Sequence, residues 1–149
     1  MKSVTFVVFL FSSALCFAQE RQPQNIDKIN LKGTEWKSNY NVFANETAES
    51  YELYTISSEE GGFHWGHFIS FTETEFSTHY SAPCGNDCFT SVLGKYEQAG
   101  FNRIKVYVTS INRSGFCTEE SEEPKKWFGF YTISKTDKGI QITKEARQK

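Results

Sequence analysis

The chain has 149 residues with 16 basic and 18 acidic side chains, a formal net charge of −2. That length fits one folded domain, and a slightly acidic balance with no basic stripe argues against a nucleic-acid partner. Aromatic residues are dense, with 14 Phe, 7 Tyr and 3 Trp; few of them fall in a helical rhythm, so half-buried pleated surfaces are expected.

Residues 1–18 read as a removable secretory signal. Lys2 precedes an apolar run from Val4 to Leu10, extended by Phe11, and the segment closes on Cys16-Phe17-Ala18 with small residues where signal peptidase reads. The run is shorter than the roughly 20 residues that cross about 30 Å of hydrocarbon, and polar Gln19-Glu20-Arg21-Gln22 follows at once, so no membrane span is expected. Leu15, before Cys16, occupies a position where lipid attachment wants a small residue. The expected location is therefore outside the cytoplasm, periplasmic or secreted. Removing 18 of the 149 residues leaves 131, and the loss of Lys2 leaves 15 basic against 18 acidic side chains, a net of −3. Residues 19–30 are polar, contain Pro23 and read as a tether; residues 31–149 read as one domain.

From there the chain is a series of short segments between turn residues, with strands expected near 34–38, 50–57, 63–72, 75–82, 88–96, 102–111, 126–134 and 139–144. The longest loops are 39–49 and 112–125, and no segment has the length and 3.6-residue period of a confident helix. Side chains alternate faces along a strand, so the hairpins can be paired from the sequence. A turn at Glu73-Thr74 sets Phe71 opposite Phe76, Ile69 opposite Thr78, His67 opposite Tyr80 and Trp65 opposite Ala82 on one face. The other face carries Phe68 opposite His79 among polar pairs. A turn at Gln98-Ala99-Gly100 sets Val92 opposite Val106, Gly94 opposite Ile104 and Thr90 opposite Val108; a last turn through residues 136–139 sets Ile133 opposite Ile140 and Tyr131 opposite Ile142. Each hairpin has one dry face. About eight antiparallel strands in a meander, closed into a barrel that removes its own edges, is the expected all-β architecture.

The string Leu31-Lys32-Gly33-Thr34-Glu35-Trp36 at the domain start, followed by this meander, resembles the lipocalin-like, or calycin, small exported proteins of bacteria. The resemblance covers most of the mature chain. The family pattern has one residue between Gly and Trp, whereas two separate Gly33 from Trp36 here. It implies a cup for a small apolar molecule, or a packed scaffold, and assigns no catalytic residue.

Once Cys16 leaves with the signal, Cys84, Cys88 and Cys117 remain, an odd number. The hairpin pairing collects all three at one end, so a disulfide from Cys117 to Cys84 or Cys88 is expected, with metal ligation as the alternative. His64 and His67 are three apart on an extended segment and face opposite ways, and His79 sits on the outer face, so the three do not converge on a metal without a bulge. His67 faces inward beside Tyr80; the two read as a satisfied core pair or, alternatively, as the polar hooks of a ligand pocket completed by Trp65, Ile69, Phe71 and Phe76. No nucleophile elbow or phosphate loop is present, no cofactor is implied, and an enzyme is not expected. The acidic run Glu119-Glu120-Ser121-Glu122-Glu123 lacks the Asp, Asn and Gly of a calcium loop and reads as solvated surface. Two functions follow: a binding protein holding a small hydrophobic ligand in a barrel, or a protein-interaction module, such as a small inhibitor or surface-accessory protein, that uses the loop end near Cys84 to Cys117.

Overall fold

The computed structural model describes residues 27–56 and 65–146. The expected signal peptide, the first part of the tether and His64 lie outside the described residues. Alternating apolar and polar side chains form eight strands: β1 (Thr34–Ser38), β2 (Ser50–Thr55), β3 (Gly66–Phe71), β4 (Glu75–Ser81), β5 (Cys88–Gly100), β6 (Arg103–Gly115), β7 (Lys126–Thr136) and β8 (Gly139–Lys144). Every neighbouring pair is antiparallel, and the sheet closes in the order β1-β2-β8-β7-β6-β5-β4-β3. The expected all-β barrel is thus present, and it is consistent with a calycin-like fold. Strands β3 to β8 follow chain order as a meander. The β1–β2 hairpin completes the ring between β8 and β3, with Ser38 opposite His67 and Tyr51 opposite Ile142.

The β3–β4 register is the expected one, from Phe71 opposite Phe76 to His67 opposite Tyr80. In β5–β6 the expected pairs give way to others: Gly94 lies opposite Val108, Val92 opposite Ile111 and Thr90 opposite Arg113. The cause is the turn, which Phe101 and Asn102 make instead of residues 98–100, with a bulge between Leu93 and Gly94 adding one further place at Val92 and Thr90. Asn102 takes φ 47°, a left-handed conformation that Asn tolerates better than most residues, and its Oδ1 accepts the Ile29 N–H at 2.7 Å. Between Gly94 and the turn the shift is four places, an even number, so Ile104, Val106 and Val108 still face inward and are buried. In β7–β8 the two-residue turn at Asp137-Lys138 likewise moves Ile133 to a place opposite Ile142, where both remain buried.

All the tight turns, at 72–74, 101–102 and 137–138, fall at one end of the barrel. Asp27 to Leu31 crosses that end, with Ile29 and Leu31 buried, so the last residues of the stretch read as a tether pack as part of the domain. Among the connections described in full, the longer ones, 39–49, 82–87 and 116–125, fall at the opposite end, the mouth. Between the two ends lies one contiguous apolar core. Gly94 is required there, because a Cβ on it would lie 2.4 Å from the Phe76 ring.

Candidate functional site at the barrel mouth

The site begins with the loop between β1 and β2. The Asn41 backbone carbonyl accepts the Ala44 N–H at 3.3 Å, and Asn45 Oδ1 accepts the Thr47 N–H at 2.9 Å and hydroxyl at 2.8 Å. Local bonds of this kind let Asn residues turn the chain back on itself. Here they drive Val42 and Phe43 down into the barrel, where neither has exposed surface. Phe43 is held at φ 60°, a conformation that costs a side-chain-bearing residue about 1–2 kcal/mol. Burying the ring contributes roughly 1.5–3 kcal/mol, which offsets that strain.

The ring is caged by three others, edge-on to Tyr51 at 5.4 Å, Phe76 at 4.9 Å and Tyr131 at 5.2 Å between centroids. Phe76 is the second residue of β4, near the closed end, so the loop reaches deep into the barrel. The Tyr51 hydroxyl donates to the Asn45 carbonyl at 3.2 Å, and burial pushes its phenol up to about 12. The Tyr131 hydroxyl is fully buried and has no hydrogen-bond partner among the described residues. Burial pushes its phenol well above the ordinary tyrosine range, with smaller contributions from Tyr51 and Glu46. An unpaired buried hydroxyl costs about 1–3 kcal/mol.

Of the candidates read from the sequence, Ile69, Phe71 and Phe76 lie in the core. His67 and Tyr80 stand higher, at the rim, half-buried and stacked at 4.6 Å. His67 Nδ1 lies 2.8 Å from Asn41 Oδ1, and the Tyr80 hydroxyl donates to Asp87 Oδ2 at 3.3 Å. Burial holds the His67 pKa below the usual histidine value. Trp65 precedes β3 and is 43% exposed. With Tyr40 at 66% and Phe116 at 73%, it gives the mouth three exposed aromatic side chains. His79 faces outward on Phe68 at 5.0 Å, opposite in sense to His67. Among the described residues no group of three His, Cys, Asp or Glu side chains could hold a metal.

Cys88 and Cys117 form the disulfide, and Cys84 is an exposed free thiol. The pairing selects Cys88, because it opens β5 opposite Gly115, two residues short of Cys117. The acidic run after Cys117 is exposed throughout, as expected of solvated surface, and part of it also pairs with one basic side chain. Glu119, Glu120 and Glu122 reach Arg113, whose side chain is only 8% exposed. Arg113 donates to the Glu120 carbonyl at 2.6 Å and pairs with Glu119 at 2.9 Å and Glu122 at 3.2 Å. Arg113 faces inward because a bulge between Leu93 and Gly94 shifts the register by one residue above it. Together with Asn41, Asn45, Glu46 and Lys126, Arg113 lines a polar cleft of about 400 Å³ at the mouth; Lys126 and Glu46 are paired across it at 2.6 Å.

The residues that organise this end, Phe43, Tyr51, Tyr131 and Arg113, were not among the sequence candidates. The one visible signal was an apolar Val42-Phe43-Ala44 triplet in an otherwise polar loop. A scan against protein-family models and searches of curated proteins and of solved structures found no match.

Proposed function

We propose that the protein is an exported, non-catalytic binding barrel that takes a small, mainly apolar molecule into its interior through the end ringed by long loops. The observation that carries this reading is the ring of Phe43, which a loop supplies and three aromatic side chains of the wall receive. A barrel wall that accepts a ring from outside its own strands has the shape and chemistry to accept one from solution. Affinity would come from apolar burial, at about 25 cal/mol per Å², and orientation from a few polar groups. Export rests on the sequence of residues 1–18.

The test is a titration of the folded protein with the apolar fluorophore 1-anilinonaphthalene-8-sulfonate, followed by native mass spectrometry after solvent extraction. One saturable site, emptied by extraction, supports the reading. A cooperatively folded protein that leaves the probe in water overturns it. That outcome turns attention to the second reading, a protein-interaction module, which the exposed Tyr40, Trp65 and Phe116 at the disulfide-fastened mouth favour.

A further inference from the structure

Two features of the interior go beyond an apolar cage. The Tyr131 hydroxyl is buried and unpartnered among the described residues, and the ring that carries it packs edge-on against Phe43. The Tyr51 hydroxyl faces the same region, and its hydrogen bond runs to Asn45, a residue of the loop that carries Phe43. If that loop lifts, Phe43 leaves its cage and Tyr51 loses its acceptor in the same movement, so two phenolic donors stand free beside a ring-sized space. The loop is joined to its surroundings by polar contacts, His67 to Asn41, Lys126 to Glu46 and the Lys144 ammonium to the Glu46 carbonyl, as well as by apolar packing. Val42 and Phe43 are its buried apolar hold, with Ala44 and Ala48 packed against the core beside them.

We infer that Phe43 occupies the ligand position as a built-in competitor, and that the ligand is a flat, ring-bearing molecule with a carbonyl-type oxygen that accepts from Tyr131 and Tyr51. This deepens the interior-binding reading and rests on it. The left-handed backbone of Phe43 fits the role, since a strained residue gives up its place more readily than a relaxed one. A carbonyl oxygen has two lone pairs and satisfies two donors at once, which a hydrocarbon of the same shape does not. Recognition would therefore discriminate by the polar group, because a buried hydroxyl left unpaired penalises the wrong ligand.

Acetophenone and α-methylstyrene have nearly the same shape and differ in C=O against C=CH2, so they separate the two terms. NMR titrations of isoleucine methyl signals, Ile69 and Ile142 lying in the core, read the binding. For the unmodified protein the expected result is acetophenone bound about tenfold more tightly than α-methylstyrene. Phe43→Ala should tighten both by a similar factor, and Tyr131→Phe should erase most of the preference while hydrocarbon binding persists. If both probes bind but Tyr131→Phe leaves the preference unchanged, the polar selection is wrong and interior binding stands. If neither probe binds the unmodified protein or Phe43→Ala, although Phe43→Ala melts cooperatively, interior binding itself fails. Should Phe43→Ala not fold, Phe43→Leu, which keeps an apolar group in the cage, takes its place in the same comparison.

Discussion

At Phe43, backbone strain and ring burial pull in opposite directions, and single substitutions separate them. Phe43→Ala removes the ring and keeps a Cβ at positive φ, with an expected loss of roughly 3–5 kcal/mol for a large-to-small change in the core. Phe43→Gly loses the same ring but relaxes the backbone. The glycine variant should therefore be more stable than the alanine variant by about 1 kcal/mol in urea unfolding. The reverse order, usual at ordinary positions, would show that the left-handed backbone carries no strain. His67 gives a second, pH-dependent expectation. Its folded pKa lies below the ordinary 6.5 because burial disfavours the charged ring. As pH falls through 6.5 the unfolded chain takes up the proton first, so stability decreases on acidification and the loss is complete below the folded pKa. His67→Gln should flatten the stability profile between pH 7 and pH 5, measured by denaturant midpoints at fixed ionic strength.

At the level of strands and loops, the Cys88–Cys117 bridge closes a stretch of 29 residues across β5 and β6. Replacing both cysteines by serine should lower stability by about 3–4 kcal/mol on chain-entropy grounds, read as a lower melting temperature under non-reducing conditions. The same hairpin shows how far strands can be read from a sequence. Alternation identified which residues of β5 and β6 face inward, because a four-place slip preserves parity. It did not identify their partners, which depend on a left-handed Asn102 that Ile29, 73 residues away, helps to hold. Nor did it place Arg113, since alternation without the bulge at Leu93 and Gly94 points that side chain outward. The β3–β4 hairpin, with a short turn and no bulge, was legible pair by pair. Phe43 escaped because a loop has no period, and only tertiary packing directs its ring inward. His67 and Tyr80 were read on the correct face, but their height along the barrel depends on the barrel's closure, which no local pattern encodes.

The whole barrel joins residues far apart in the chain. β2 pairs with β8, bringing Tyr51 opposite Ile142, while the six strands β3 to β8 need only neighbours in sequence. Local pairings form with less loop-closure entropy than distant ones, so the meander is expected to assemble before the ring closes. The β1–β2 hairpin then enters as a single piece, and with it comes the loop that carries Phe43. Until it does, β3 and β8 are open edges, each a template for another chain. A hairpin that completes its own barrel can also complete that of a second molecule, with the same pairings and the same buried ring. Refolding at high protein concentration should therefore yield a hairpin-exchanged dimer alongside the monomer, resolved by size-exclusion chromatography and scarce in dilute refolding. A cysteine pair introduced across β2 and β8 would lock whichever species formed it, and non-reducing electrophoresis would show a covalent dimer only where exchange had occurred. The seam that shuts this barrel is in that sense also the place where two copies become entangled.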